Sequence, residues 1–175
     1  APACDMRLRL RTPLMRNDRG MPDVEYLEAM VTDVSFGEGV RVVKPVNLYG
    51  CTIGDGCFIG PFVEIQRDTV VGARTRIQSH SFLCEMVTVG EDCFIGHGVM
   101  TINDRFKGGG PSSAREDWEA THIGNRVSIG SNVTLLPVRI CDDVVIGAGA
   151  VVTKDISEPG VYAGNPARKV RSLED

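Results

Sequence analysis

A repeat of six residues is the feature that most constrains the fold of this chain. An apolar residue, Ile, Val or Leu, recurs at every sixth position over eight successive hexads: Ile53, Ile59, Ile65, Val71, Ile77, Leu83, Val89 and Ile95. After an interruption the register resumes at Ile123 and, with one-residue slips, it covers the chain from Phe36 to Val152. Neither the 3.6-residue period of an α-helix nor the two-residue period of a simple strand produces this register. A short strand followed by a turn, repeated many times, does.

Three hexads make one triangular coil of about 18 residues, so every third hexad falls on the same face of a prism. The first face then carries Phe36, Ile53, Val71, Val89, Ile123 and Ile140, the second carries Val42, Ile59, Ile77, Ile95, Ile129 and Ile146, and the third carries Leu48, Ile65, Leu83, Thr101, Leu135 and Val152. All of these positions except Thr101 are apolar. At the ~4.8 Å spacing of neighbouring strands, six coils predict an all-β prism roughly 29 Å tall.

Composition excludes several classes of function. The chain has 175 residues with 19 Lys+Arg against 23 Asp+Glu, so a single domain with no basic surface for nucleic acid is expected. No apolar run approaches the ~18 residues of a membrane span, and residues 1–20 intersperse apolar residues with Arg, unlike a secretory signal. The six Cys include no CxxC pair. Reduced thiols, a cytoplasmic location and no metal site are therefore expected.

The repeat divides the chain into three segments. We expect an N-terminal segment over residues 1–33, with one or two helical turns within 24–31, and a β-helix over 34–156. A long loop over 103–122, rich in Gly, Ser and charge, must leave the prism, and loops of this length are usually functional or disordered. Its Trp118, the only Trp, is expected to anchor it against the prism or a neighbouring subunit, or to stack on a substrate base. Residues 157–175 are expected to cap the last coil and to end in a short helix, because an uncapped solenoid exposes apolar edges.

Two histidines are the strongest candidates for chemistry. His80 and His97 are 17 residues apart, one short of a full coil, so they should lie at nearly the same corner on successive coils. The pair fits general-base work or substrate positioning, and it equally fits a hydrogen-bonded structural pair at a turn. Asn103 and Asp104 begin the loop and are either substrate contacts or ordinary turn residues. Glu85, near the third face, fits a solvated turn charge.

The C-terminal end of the repeat is small and basic. Gly147 and Ala148, with the glycine that follows, would let an extended thioester arm approach backbone amides closely. Lys154 and Arg168 concentrate positive charge at this end of an acidic chain, which suits the phosphates of a cofactor or a solvated basic tail.

The chain resembles the hexapeptide-repeat acyltransferases, which fold as left-handed parallel β-helices. The resemblance is carried by the run Ile146-Gly-Ala-Gly-Ala-Val-Val-Thr-Lys-Asp-Ile156 and by Tyr162-Ala-Gly-Asn-Pro-Ala-Arg168. It implies that this end binds acetyl-CoA as co-substrate, with Gly147 and Ala148 at the pantetheine arm and Lys154 and Arg168 at the phosphates. The left hand of the coils also comes from the resemblance.

Other segments are similar to the nucleotide-sugar 3-N-acetyltransferases: Asn47-Leu-Tyr-Gly-Cys-Thr-Ile-Gly54, Phe62-Val-Glu-Ile-Gln66, Ser79-His-Ser-Phe-Leu-Cys-Glu85 and Ile95-Gly-His-Gly-Val-Met-Thr-Ile-Asn-Asp104. This resemblance implies acetylation of a 3-amino sugar linked to UDP or dTDP, by a homotrimer with active sites between subunits. On this view the catalytic residues are His97, Asn103 and His80, and the substrate contacts are Asp104, Arg105 and Glu85. Relatives often have Pro-Arg after Asn-Asp-(Lys/Thr/Arg)-(Tyr/Phe), whereas this loop reads Asn103-Asp-Arg-Phe-Lys-Gly.

Three alternatives remain open on the sequence. A sugar O-acetyltransferase would share the fold and the CoA site but would need a firm general base. A zinc hydratase on the same repeat would need His80, His97 and His122 to converge. A non-catalytic scaffold would bind no acetyl-CoA.

Overall fold

The computed structural model describes residues 30–174, which form 21 short β-strands and one 3-10 turn, Arg115–Asp117. The strands belong to three parallel sheets, which we name A, B and C. Sheet A contains β1 (Val31–Thr32), β4 (Asn47–Tyr49), β7 (Glu64–Ile65), β10 (Phe82–Leu83), β13 (Met100–Thr101), β16 (Thr134–Leu135) and β19 (Val151–Val152). Sheet B contains β2 (Ser35–Phe36), β5 (Thr52–Ile53), β8 (Val70–Val71), β11 (Val87–Val89), β14 (Thr121–Ile123) and β17 (Arg139–Ile140).

Sheet C contains β3 (Arg41–Val42), β6 (Phe58–Ile59), β9 (Arg76–Ile77), β12 (Phe94–Ile95), β15 (Ser128–Ile129), β18 (Val144–Ile146), β20 (Gly160–Ala163) and β21 (Arg168–Arg171). The chain passes from sheet B to C to A in every coil, which gives six complete coils with β1 before them and β20 after them. The predicted parallel β-helix is confirmed.

The register of the coils is the one that the hexad pattern predicts. Ile53 pairs with Val71, Ile59 with Ile77 and Leu48 with Ile65, each pair on one sheet. All eighteen predicted inward positions are at most 3% exposed except Phe36 and Val42, which lie in the first coil. Each fully buried Ile, Leu or Val contributes about 1.5–3 kcal/mol of transfer free energy.

Glycine follows the inward residue because neighbouring coils approach backbone to backbone at that position. A Cβ added to Gly72 would lie 2.5 Å from the carbonyl carbon of Gly90, and one added to Gly96 would lie 2.7 Å from the nitrogen of Ser131. Real Cβ atoms do not come this close to backbone. The recurring glycine therefore sets how tightly the coils stack.

The small residues four positions after the inward residue of a hexad are buried hydrogen-bond donors. The hydroxyls of Thr75 and Ser81 donate to the carbonyls of Gly90 and Gly96 at 2.9 and 2.8 Å, and the thiol of Cys57 donates to Gly72 at 3.1 Å. These groups satisfy carbonyls inside the apolar prism, where an unpaired carbonyl is costly.

Thr101, the polar exception among the inward positions, has the same explanation. Its buried hydroxyl accepts a hydrogen bond from the backbone N–H of Cys84 at 2.8 Å and donates to the carbonyl of Phe82 at 3.2 Å. The next residues leave the prism, so the hydroxyl supplies a contact to the preceding coil where the loop begins.

The ends differ from expectation. Among the described residues the first strand of the β-helix is β1, Val31–Thr32, inside the segment assigned to 1–33; residues 1–29, with most of the predicted helical turn, lie outside the described residues. The predicted C-terminal helix is wrong for the described residues: β20 pairs in parallel with β18, and β21 folds back antiparallel on β20. A hairpin therefore caps this end of sheet C. The loop spans 102–120, because Thr121 and His122 already belong to β14.

Candidate functional site

The predicted site residues lie at two corners of the prism. We call the turns that lead from sheet C to sheet A the C–A corner, and those that lead from sheet A to sheet B the A–B corner. His80, His97, Gly147 and Ala148 lie at the C–A corner, and Glu85, Asn103, Asp104 and Arg105 lie at or beyond the A–B corner. The strands of sheet A separate the two sets.

His80 and His97 lie on successive coils of one corner, as their spacing predicts. The hydroxyl Oγ of Ser79 lies 2.9 Å from Nδ1 of His97, and this contact orients the imidazole with Nε2 on its opposite side. The ring of His80 stacks on Phe62 of the preceding coil, with centroids 4.9 Å apart and planes at 27°. Both histidines are exposed to solvent.

The predicted CoA residues continue the same corner. Backbone hydrogen bonds run along it from coil to coil: Gly98 N–H donates to Ser79, Asn132 N–H to His97, and Gly149 N–H to Ser131, at 2.8–3.0 Å. Ala148, next to Gly149, is thus two coils from His97, about 10 Å along the prism. A Cβ added to Gly149 would meet no atom within 4 Å, so the surface here is open and low.

The two predicted basic residues lie at the same end of the prism, but Lys154 lies at the A–B corner and Arg168 on sheet C. Lys154 follows β19 on sheet A, and Arg168 begins β21 on sheet C; both are exposed. The turn that precedes Arg168 is tied to β19, because Val151 N–H donates to Gly164 and Ala167 N–H donates to Val151. Lys169 forms an ion pair with Glu158 at 3.0 Å, so its charge is locally balanced.

The loop at the A–B corner is folded by its own polar groups. Both carboxylate oxygens of Asp104 accept backbone N–H groups, from Phe106 at 2.8 Å and from Ser112 at 2.7 Å. Arg105 donates to Glu119 and to the carbonyl of Pro137. Asp104 and Arg105, predicted as substrate contacts, therefore hold the loop together in this structure. The backbone carbonyl of Asn103 accepts from Glu119 N–H at 2.8 Å and closes the base of the loop.

Glu85 lies under the loop and not in open solvent. Its side chain is 16% exposed and lies between Arg67 at 4.0 Å and Arg115 at 3.7 Å. Arg115, from the 3-10 turn of the loop, also forms an ion pair with Asp68. The interpretation of Glu85 as a solvated turn charge is thus wrong. Its carboxylate instead holds the loop against the prism.

Trp118 anchors the loop from within. Its indole N–H donates to the carbonyl of Ser112 at 3.0 Å, and the ring is half-buried. Together with Asp104, Lys107 and Glu116 it lines an open cavity of about 650 Å³ on the loop. Lys107 pairs with Glu119 at 2.6 Å, and this ammonium group holds the pKa of Glu119 below its usual range.

The structure does not join the two sets of predicted residues within one chain. No hydrogen bond or ion pair between described residues links His80 or His97 to Asn103, Asp104 or Glu85. His97 and Asn103 are six residues apart and lie on either side of β13. The candidate site therefore consists of two half-sites on opposite edges of sheet A.

Sequence analysis missed four residues beside the candidate site: Ser79, Phe62, Asn132 and Arg115. The 18-residue length of a coil was a sufficient signal for two of them, since Ser79 lies 18 residues before His97 and Phe62 lies 18 before His80. Asn132 lies across the interruption of the repeat, and Arg115 lies in the aperiodic loop.

Other features bear on the alternatives. Among residues 30–174, no group of three His, Cys, Asp or Glu side chains is arranged to hold a metal ion, and His122 lies on sheet B, away from the other two histidines. The five Cys of this range are free thiols, and burial raises the pKa of Cys51 to about 11. Within the same range there is no helix of sufficient length and apolar character to span a membrane.

Comparisons with known proteins agree with this architecture. The family model described as bacterial transferase hexapeptide (six repeats) matches residues 50–85, and the hexapeptide repeat of succinyl-transferase matches residues 121–154. These matches confirm the predicted repeat. The bifunctional protein GlmU of Gloeothece citriformis is 32% identical over 159 residues, which cover 89% of this chain and 33% of the relative. The chain thus spans about a third of the length of such curated relatives.

Solved structures have the same fold. A galactoside acetyltransferase in complex with coenzyme A is 29% identical, with a TM-score of 0.60 over 69% of this chain and 64% of that one. PerB from Caulobacter crescentus, in complex with CoA and GDP-perosamine, is 19% identical, with a TM-score of 0.55 over 81% of this chain and 57% of that one.

Proposed function

We propose that this hexapeptide-repeat chain is an acyltransferase that moves an acetyl group from acetyl-CoA to the amino group of a UDP- or dTDP-linked 3-amino sugar. The observation that carries the proposal is the C–A corner, where an exposed, oriented His97 lies about 10 Å along one edge of the prism from a low surface of small residues. The resemblance in sequence and the CoA-bound relatives of this fold support the choice of donor.

The residues of the last coils fit an extended thioester arm. In this proposal the arm lies along Gly147 and Ala148, where short side chains let it reach backbone amides, and Lys154 and Arg168 offer charge to the phosphates at the same end of the prism. Acetyl-CoA supplies the activated carbonyl carbon. The chain itself supplies alignment of that carbon with the amine, which is a large part of the rate enhancement in such transfers.

His97 manages the proton in this mechanism. An amine attacks the thioester only as the free base, so Nε2 of His97 accepts the proton that the amine loses as its C–N bond forms. The C–S bond then breaks, and the proton passes to the departing thiolate. Backbone N–H groups of the corner stabilise the tetrahedral oxyanion. Asn103 orients the amino group, and His80 has a secondary part.

We place the complete site between copies of the chain. His97 and Asn103 lie on opposite edges of sheet A, so one acceptor can contact both only if the A–B corner of a second copy faces the C–A corner of the first. A homotrimer, which the family resemblance implies, provides three such contacts. In this arrangement the loop of one copy contacts the nucleotide part of an acceptor that is bound at the C–A corner of the neighbouring copy.

The first experiment is detection of CoA release by mass spectrometry with acetyl-CoA and a panel of UDP- and dTDP-linked amino sugars. We expect turnover with a 3-amino sugar. If the protein bound acetyl-CoA but acetylated only sugar hydroxyl groups, the protein would be an O-acetyltransferase and the amine acceptor would be wrong. Absence of acetyl-CoA binding would overturn the enzyme and favour a scaffold.

A second experiment tests the shared site. His97→Ala and Asn103→Ala are each expected to reduce turnover by orders of magnitude. Mixing the two variants under conditions of subunit exchange should restore part of the activity, because some interfaces then contain both native residues. Full activity of both single variants would overturn their roles, and no recovery on mixing would place both residues in one copy.

A further inference from the structure

The left-handed turn position of the C–A corner forms a column along the prism. Phe62, His80, Gly98, Asn132 and Gly149 occupy it in successive coils, with φ between 57° and 70°. Successive members are about 4.8 Å apart along the axis, as neighbouring strands are. The column therefore offers two rings, a position without a side chain, an amide and a second position without a side chain.

The two rings are costly for the fold. A residue with a Cβ loses about 1–2 kcal/mol in the left-handed region, and a bulky residue is uncommon there. Phe62 adopts φ 60° and is 57% exposed, so burial of its ring offsets little of this conformational free energy. It gains a stacking contact with His80 at 4.9 Å between ring centroids. Non-glycine residues adopt positive φ at other turns of the prism too, Asp68 and Arg74 among them, so the exposed aromatic stack, and not the backbone strain, is what points to binding.

Gly98 leaves a slot beside this stack. Phe62 covers one face of the His80 imidazole, and on the side of its other face the next position of the column is Gly98. Asn132 leans back towards this gap from the following coil, because its Oδ1 lies 2.6 Å from the place of a Gly98 Cβ. His97 immediately precedes Gly98 and contacts Ser79 beside His80. The slot thus has an imidazole on one side, a carboxamide on the other and the proposed base at its edge.

We propose that the slot defined by His80, Gly98 and Asn132 receives the pyranose ring that carries the nucleophile; this rests on the function proposed above. The apolar C–H face of a pyranose packs on the imidazole, and the Asn132 carboxamide can donate to and accept from its hydroxyls. A ring in the slot has its substituents within one coil of His97. The nucleobase, separated from this ring by a diphosphate, then lies beyond the slot.

The imidazole resonances test the slot directly. Wild-type protein is titrated with UDP- and dTDP-linked 3-amino-3-deoxyhexoses and, separately, with UDP and dTDP, while the ¹H–¹³C signals of the three histidines are recorded. We expect the amino sugars to shift His80 and His97 and to leave His122 on sheet B unmoved. We expect UDP and dTDP alone to leave His80 unmoved. If the nucleotide alone shifted the His80 signal equally, the proposal would be overturned, and the nucleobase rather than the pyranose would be the group that binds in the slot.

A blocking variant gives the second test. Gly98→Asn keeps a residue that tolerates positive φ. Its Cβ would lie 2.6 Å from Asn132 Oδ1, so the variant fills the slot and also displaces the Asn132 carboxamide, and we expect KM for the amino sugar to rise at least tenfold with KM for acetyl-CoA unchanged. Gly56→Asn is the control for an asparagine at positive φ: Gly56 has φ 64°, its added Cβ would meet only Arg74 Cγ at 3.6 Å, and it lies at the corner between sheets B and C. Its kinetic constants should equal those of the wild type.

The outcomes separate the two proposals. Turnover of an amino sugar with an unmoved His80 signal, or with an unchanged KM in Gly98→Asn, overturns the slot and leaves the proposed function standing. Failure of every sugar to bind or react overturns the function, and the slot with it. If Gly98→Asn does not fold, the imidazole titration of the wild type still decides.

Discussion

Single side chains adapt a repetitive prism to chemistry at its surface. Most corner residues of this chain serve the fold, as Thr75 and Ser81 do when they donate to the carbonyls of the next coil. Ser79 lies in the same turn as Ser81 but faces outward, and its hydroxyl contacts Nδ1 of His97 at 2.9 Å. We infer that two serines in one turn divide the work between core and site.

Ser79→Ala should therefore affect turnover without affecting the fold. Loss of one hydrogen bond worth about 1 kcal/mol predicts a roughly fivefold decrease in kcat, with KM for the amino sugar nearly unchanged. Steady-state kinetics and the melting temperature check this result. Ser128→Ala, on the outer face of sheet C, is the control and should match the wild type. An unchanged kcat in Ser79→Ala would remove the orienting role.

The residue scale also shows how far sequence reasoning reaches. The spacing of His80 and His97 placed them on one corner, because the coil length is fixed by the repeat. Asp104 and Glu85 were harder, because their partners lie in an aperiodic loop whose folding depends on contacts such as Arg115 with Glu85 at 3.7 Å. Charge and composition carry no information about such a contact.

At the scale of the element, the strand and turn is the unit that the hexad pattern predicts. Its glycine is a spacer: the Cβ of any other residue at Gly72 would collide with the backbone of Gly90. The pattern could not predict the C-terminal hairpin. Beyond Ile156 the period is lost, and the pairing of β20 with β18 depends on an open sheet edge that only the folded prism presents.

The spacer role predicts a large difference between two glycines. Gly72→Ala should lower the free energy of unfolding by about 1–3 kcal/mol, because the coils must separate to admit the methyl group. Gly108→Ala is the control, since a Cβ there meets no atom within 4 Å and the residue lies in the loop. It should change stability by less than about 0.5 kcal/mol. Urea unfolding of both variants decides, and equal effects would contradict the spacer role.

At the scale of the whole molecule, charge is organised along the corner between sheets B and C. Arg74 binds Glu91 and Asp92 of the next coil at 2.6 and 2.7 Å, and Arg126 binds Asp143 at 2.7 Å. The guanidinium groups hold the pKa of Asp92 and Asp143 below their usual range. These pairs link coils 3 to 4 and 5 to 6 without entering the core.

The sign of the resulting pH dependence follows from the lowered pKa values. A carboxylate whose folded pKa is depressed stabilises the fold above its unfolded pKa, near 4, and that stabilisation is lost as pH falls towards the folded pKa. We expect the melting temperature to decrease between pH 5 and pH 2. The double variant Arg74→Gln, Arg126→Gln should decrease less over the same range. Arg41→Gln, an arginine of sheet C, is the control, and a decrease in the double variant equal to that of the wild type would contradict the assignment.

The closed base of the loop has a consequence for how the sequence of such a molecule can evolve. The loop replaces one ordinary turn, and the hydrogen bond from Glu119 N–H to the carbonyl of Asn103 joins its two ends. For the packing of the coils the loop is therefore equivalent to a turn, whatever residues lie between its two ends. Such a loop can lengthen, shorten or be transferred to another β-helix without a change in the register of the coils. Its recognition properties can therefore change independently of the fold.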